Sequence, residues 1–291
     1  MSAQHCTDNL AVYSKPEVAA HYARLDYLSP CEAHLFRKYL KPGINVLDIG
    51  VGGGRTSRYL SELASTYVGI DYSPQMVLEC RQRFPNLDFR QRDATDLSCF
   101  DDASFTAAVI AFNGLDYLSP EGRARCLAEC HRVLDEDGIL IFSSHNPRSL
   151  LVRRDWNREK VLTMSRAFGR GVPLTLVTVA VTLAAATRAV LRSIWASLRR
   201  VRRLLTRTFW LGRGYVLDAA HGGLLTYCST PRFVGDEVRS AGFQMLESLG
   251  DEYPRKSGEF MTDWYYYACR KAHTTASQPA EAIQAAAGGR G

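Results

Sequence analysis

No two cysteines in the chain have the C-x-x-C spacing. The eight of them, at 6, 31, 80, 99, 126, 130, 228 and 269, are scattered. In a chain of 291 residues this argues against a disulfide framework and suits a reducing, cytoplasmic location. Cys126, Cys130 and His131 lie close together, but no second ligand pair accompanies them. Two small thiols one turn apart on a helix are therefore expected, and no metal site. The first residues lack a positively charged start followed by an apolar run. No signal peptide is expected, and residues 1–12 read as a loose leader. Acids are missing altogether from "RAVLRSIWASLRRVRRLLTRTFW", residues 188–210, which hold seven arginines.

The charge that is present is unevenly placed. The net charge is +6, yet the stretch from Arg148 to Arg213 carries +13 and leaves −7 on the remainder. Such asymmetry points to contact with an anionic surface. Apolar residues make up 46% of the chain, ordinary for a folded protein, and the length allows one large domain with a sizeable core, or one domain plus an insertion.

Periodicity divides the chain. Helical spacing runs from Pro16 to Tyr39 and stops at Lys41-Pro42-Gly43. "INVLDIG" reads as a buried strand, "GRTSRYLSELA" as a helix, "TYVGID" as a strand, and "PQMVLECRQRF" as a helix. "LDFRQRDA", "FTAAVIAF" and "DGILIFSS" follow as strands, with "PEGRARCLAECHRVL" as the helix between the last two. The alternation implies an α/β sheet with crossover helices. Beyond 214, "PRFVGDEVRSAGF" is helical, and "FQMLESLG" and "DWYYYACR" suggest a terminal antiparallel hairpin. Residues 272–291 are small and polar and read as a disordered tail. The hexapeptide LDYLSP occurs at Leu25–Pro30 and Leu115–Pro120. Its surroundings differ, so it reads as coincidence and not as a structural repeat.

"VLDIGVGGGRTS" carries the chemistry. A strand ends at Asp48, and Gly50, Gly52 and Gly54 alternate before a helix. Glycines let a ligand lie against bare main chain, and the helix start adds unpaired N–H donors. Asp71 closes the second strand, where a carboxylate can accept both ribose hydroxyls. Dinucleotide binding would want glycine where Arg55 stands. Asp48 would repel a pyrophosphate but attract an ammonium, which favours S-adenosylmethionine.

With these residues the chain resembles the class I S-adenosylmethionine-dependent methyltransferases, well over 13–147 and more weakly over the last two strands. The resemblance implies a doubly wound, Rossmann-like, mostly parallel seven-stranded sheet with a C-terminal antiparallel hairpin. It places Asp48, Gly50, Gly52 and Gly54 around the methionine moiety. It makes Asp71 the ribose ligand, sets Ser73 and Met76 against the adenine and Asp93 with Ala94 near its amino group, and counts Tyr72 among the cofactor-binding residues. Phe112 and Asn113 stand beside the reacting centre, and Tyr13 and Tyr22 close over the cofactor. The implied layout is an N-terminal helical cap (1–40), a catalytic domain (41–147 and 215–271) and a basic helical insertion after strand five (148–214).

A hydroxyl acceptor needs a general base. His145, ending strand five, is the first candidate, with His221 and Asn113 as further catalytic candidates and Asn146, Tyr215 and Tyr227 able to orient a hydroxyl. Residues 188–210 project as a helix with one apolar and one cationic face. Ahead of them, 171–187 offers 17 uncharged residues, at the short limit for crossing a bilayer of about 30 Å. An interfacial anchor over 172–210 on an anionic membrane is expected, on the inner face of the membrane, with a hydrophobic or lipid-linked acceptor. A lid over the pocket of a soluble small-molecule (natural-product) methyltransferase is the alternative. Nucleic acid is disfavoured, because the apolar face is large and no stacking pattern accompanies it. A cofactor-binding protein without catalysis is a further reading.

Overall fold

A computed structural model of the chain describes residues 10–149, 207–217 and 225–272. The alternation continues into seven strands of one sheet, in the order β3-β2-β1-β4-β5-β9-β8. Here β1 is Ile44–Ile49, β2 Ala64–Asp71, β3 Asp88–Gln91, β4 Phe105–Ile110, β5 Leu134–His145, β8 Phe243–Gly250 and β9 Trp264–Lys271. The first five are parallel; β9 runs antiparallel to both β5 and β8. The chain reverses direction across the sheet between β1 and β4, and the carboxyl ends of these strands frame the crevice where ligands bind in such sheets.

The strands are buried on both faces, which explains their unbroken apolar runs. In β1, Val46 packs into the core on one side and Leu47 into the core on the other. The helices are α1 (Pro16–Ala23), α2 (Pro30–Tyr39), α3 (Ser57–Leu63), α4 (Pro74–Arg83), α5 (Pro120–Val133), α6 (Arg207–Leu211) and α7 (Pro231–Ser240). Cys126 and Cys130 are buried core thiols on α5, and the ring of His131 packs edge-on against Phe243.

A second, two-stranded sheet pairs β6 (Arg213–Leu217) with β7 (Leu225–Ser229). The sequence pattern did not disclose it, and β6 straddles the boundary drawn at 214. Of the amphipathic helix expected over 188–210, Arg207–Leu211 is described, as a helix. The rest of it, residues 171–187, His221, residues 1–9 and the tail beyond 272 lie outside the described residues. Among the described residues no helix is long and apolar enough to cross a membrane.

Candidate active site

At the carboxyl ends of β1, β2 and β4 lies a cavity of about 200 Å³. Its floor is the glycine turn. Gly50 (φ +69°) has nothing within 4 Å of where a side chain would begin, so bare main chain faces the cavity. Gly52 lines it too. Gly54 does not: it packs against the ring of Phe84 and the thiol of Cys80. Gly53, outside the alternating pattern, matters more than expected. A Cβ there would stand 2.2 Å from the Ala23 nitrogen and 2.3 Å from the Tyr22 carbonyl carbon. The end of α1 thus rests directly on the turn and brings Tyr22 to the cavity wall.

Asp71 is held in a fixed orientation. Its Oδ2 accepts the Gly52 N–H at 2.9 Å and its Oδ1 the Ser73 N–H at 2.8 Å. Each oxygen keeps a lone pair for a ligand. Burial raises its pKa above the ordinary carboxylate value, against the lowering effect of the backbone N–H groups of Ser73, Gly52 and Tyr72. Asp48 sits beneath the turn and does not line the cavity. It is fully buried, and its Oδ2 accepts from Thr56 and Tyr67, each at 2.9 Å. Its Oδ1 accepts no bond among the described residues, and burial pushes the carboxyl up to about 6.

The residues expected near the adenine lie together at one cavity. Tyr72, Ser73, Met76, Asp93 and Ala94 all border the cavity. Part of this set is also occupied locally. Ser73 caps α4 and donates to the Tyr13 carbonyl at 3.1 Å, and Asp93 Oδ1 accepts from the Thr95 backbone and hydroxyl. Tyr13, Tyr22, Phe112 and Tyr117 form an aromatic wall, with Tyr13 edge-on to Tyr117 at 5.4 Å.

Sequence reasoning missed Arg55, whose guanidinium lies 4.7 Å from the centre of the Phe112 ring. It forks onto buried Glu32 at 2.8 and 2.5 Å. The signal was present in "SPCE", a capping box in which Ser29 and Glu32 bond each other's backbone N–H.

Phe112 and Asn113 both adopt left-handed backbone (φ 55° and 61°). Consecutive non-glycine residues in that region are strained, and such strain is characteristic of working sites. It turns Asn113 toward His145, whose Nε2 lies 3.2 Å from the Asn113 amide nitrogen. His145 Nδ1 is 2.9 Å from Oδ2 of Asp116, which also accepts the His145 backbone N–H at 2.6 Å. Asp116 is wholly buried, and its Oδ1 takes bonds from Arg123 and Ser144, both at 2.6 Å. Arg123, itself buried, reaches on to Glu237 at 2.7 Å. Asp116 and Arg123 were not anticipated. The Asn146 amide anchors the loop, donating to the carbonyls of Glu259 and Thr262. Tyr215 and Tyr227 face each other across the β6–β7 pair.

Residues 46–138 match the model of a methyltransferase domain family. Over this part the chain resembles the class I S-adenosylmethionine-dependent methyltransferases. It is 30% identical over 113 residues to a probable S-adenosylmethionine-dependent methyltransferase of Mycolicibacterium smegmatis, which is 39% of this chain and 42% of that protein. It is 40% identical over 103 residues to the demethylmenaquinone methyltransferase of Beutenbergia cavernae, 35% of this chain and 41% of the relative. The chain thus spans about two fifths of the length of these relatives. Its fold is that of the 1,6-didemethyltoxoflavin-N1-methyltransferase of Burkholderia thailandensis, solved with S-adenosylhomocysteine, at TM-score 0.54 and 16% identity over 92% of this chain and 87% of that one.

The cavity suits S-adenosylmethionine on its own terms. Bare main chain at Gly50 admits close approach, Asp71 offers two aligned acceptors to a ribose, and the aromatic wall offers π faces to a sulfonium.

Proposed function

We propose that the protein transfers the methyl group of S-adenosylmethionine to a hydroxyl of a hydrophobic or lipid-linked acceptor held at an anionic membrane surface. The observation that carries the reading is His145, braced by buried Asp116 and touching Asn113 between two residues of the cavity wall, Phe112 and Gly114.

When bound, S-adenosylmethionine supplies an electrophilic methyl group. The residues here have the remaining tasks. Asp71 and the glycine turn fix the donor, and the aromatic wall keeps water from it. His145 Nε2 takes the acceptor proton, and Asp116 stabilises the imidazolium that forms. Asn113 yields its place on Nε2 to the incoming hydroxyl.

A membrane-borne acceptor is supported by what lies around Arg148, just beyond β5. Arg148 pairs with Glu259 at 3.4 Å and its guanidinium lies beside Gly212. That brings the neighbours of those two residues to one edge. Trp210 (70% exposed), Leu211 (50%), Phe260 (48%) and Met261 (49%) are large apolar side chains open to solvent there. Trp210 and Leu211 belong in sequence to the stretch carrying +13, and a tryptophan and long apolar side chains with such charge suit an anionic interface. The likeness to a demethylmenaquinone methyltransferase agrees with a hydrophobic acceptor.

The test combines flotation with transfer. The protein is expected to float with anionic vesicles at low salt, and to label a long-chain alkyl phenol in those vesicles from tritiated donor. His145→Ala should abolish labelling while binding S-adenosylhomocysteine normally. Failure to float, with equal labelling of a short soluble phenol, would favour the lid of a small-molecule enzyme.

A further inference from the structure

The buried chain Asp116–Arg123–Glu237 has no part in holding the donor, and its chemistry dictates the state of His145. An ionised carboxylate only accepts hydrogen bonds. The Asp116 carboxylate pairs with the buried Arg123 guanidinium at 2.6 Å, which pairs in turn with Glu237 at 2.7 Å. Ser144 Oγ and the His145 N–H also donate to it. The contact of 2.9 Å to Nδ1 therefore requires the proton to be on Nδ1. In a neutral ring this leaves Nε2 as an acceptor, and it receives the Asn113 amide N–H at 3.2 Å. The other amide atom, Asn113 Oδ1, is buried and accepts nothing among the described residues.

We propose that Asp116, clamped by Arg123, is a positioning residue that locks His145 in the Nδ1–H tautomer, so that Nε2 is a ready proton acceptor and the acceptor group is one that must lose a proton, a hydroxyl. This rests on the reading of His145 as the base, but its test does not need turnover. A neutral amine already presents its lone pair and gains little from such a base. A hydroxyl gains the removal of its proton as the new O–C bond forms and the methyl–sulfur bond breaks.

The experiment is long-range proton–nitrogen NMR of imidazole-labelled, full-length protein, with the His145 signals assigned by their loss in His145→Ala. In the wild type the proton is expected on Nδ1, with Nε2 unprotonated. Asp116→Asn should release the lock and populate the Nε2–H form. Glu237→Gln, which leaves Arg123 on Asp116, should keep the wild-type pattern. An Nε2–H tautomer or a doubly protonated ring in the wild type would overturn the proposal, and that measurement stands even if Asp116→Asn does not fold. An unchanged pattern in a folded Asp116→Asn would overturn it equally. If the tautomer is as stated but His145→Ala still labels the alkyl phenol, the general-base reading fails while the lock stands.

Discussion

Replacing Gly53 by alanine asks whether the N-terminal cap really closes the cofactor cavity. The added methyl would lie 2.2 Å from the Ala23 nitrogen, 2.3 Å from the Tyr22 carbon and 2.5 Å from the Ala23 Cα. Ordinary carbon contacts fall at about 3.5–4.0 Å, so the end of α1 must retreat by roughly 1 Å or more. The obstructing atoms are backbone, and no rotamer change relieves them. Overpacking of this kind costs about 1–3 kcal/mol. The cheapest escape is to lift α1, which carries Tyr22, and with it Tyr13, out of the wall. Affinity for S-adenosylhomocysteine, measured by calorimetry, should therefore fall by roughly 5- to 150-fold. Far-ultraviolet circular dichroism should stay close to wild type, because neither core cluster is touched. Gly235→Ala on α7 is the matched control. Its methyl meets nothing within 4 Å, so it should leave binding alone and stabilise the helix by up to about 1 kcal/mol. A Gly53→Ala protein that binds as tightly as wild type would show that α1 does not close on the turn.

Asp71→Asn turns an amide N–H₂ toward one of two backbone N–H donors and removes an acceptor from the ribose. Binding of S-adenosylhomocysteine should weaken by about 1–3 kcal/mol, and unchanged calorimetry would remove Asp71 from the site. Asp48, raised by burial from 3.8 to about 6, holds its proton more readily folded than unfolded. The stability it contributes is complete below the ordinary carboxylate value and is lost as pH rises through about 6, a change on the order of 3 kcal/mol. Urea midpoints across that window should show the fall in wild type and not in Asp48→Asn; parallel curves would refute it. Glu32→Gln leaves the buried Arg55 guanidinium without its charge partner and should cost about 3–5 kcal/mol in denaturant unfolding. A variant as stable as wild type would show that the pair is not buried as described.

What was legible in the sequence was whatever depends on one local stretch. β1 was readable because a strand buried on both faces needs an unbroken apolar run, and Gly50, Gly52 and Asp71 because bare main chain and a strand-end acid are local signatures. Gly53 was not: its need for a missing Cβ comes from α1, some thirty residues earlier in the chain, and no spacing rule contains it. The two copies of LDYLSP make the same division visible. In both, the closing Ser-Pro starts a helix: Ser29 caps α2, Ser119 caps α5, and proline takes the first turn. That local property travels with the hexapeptide, so the repetition is a shared helix start and not a repeated fold unit. The aspartates diverge completely. Asp26 is exposed and makes a loose 3.3 Å pair with Arg58, a contact worth little in water. Asp116 is sealed among Arg123, Ser144 and His145, where an unpaired charge would be prohibitive and a paired one fixes its neighbours. The difference lies in which strand end the hexapeptide is delivered to, a property of the sheet order. Residues that bind through local shape are thus found by reading along the chain. Those that act by holding another residue come to light only when the fold brings the second residue to them.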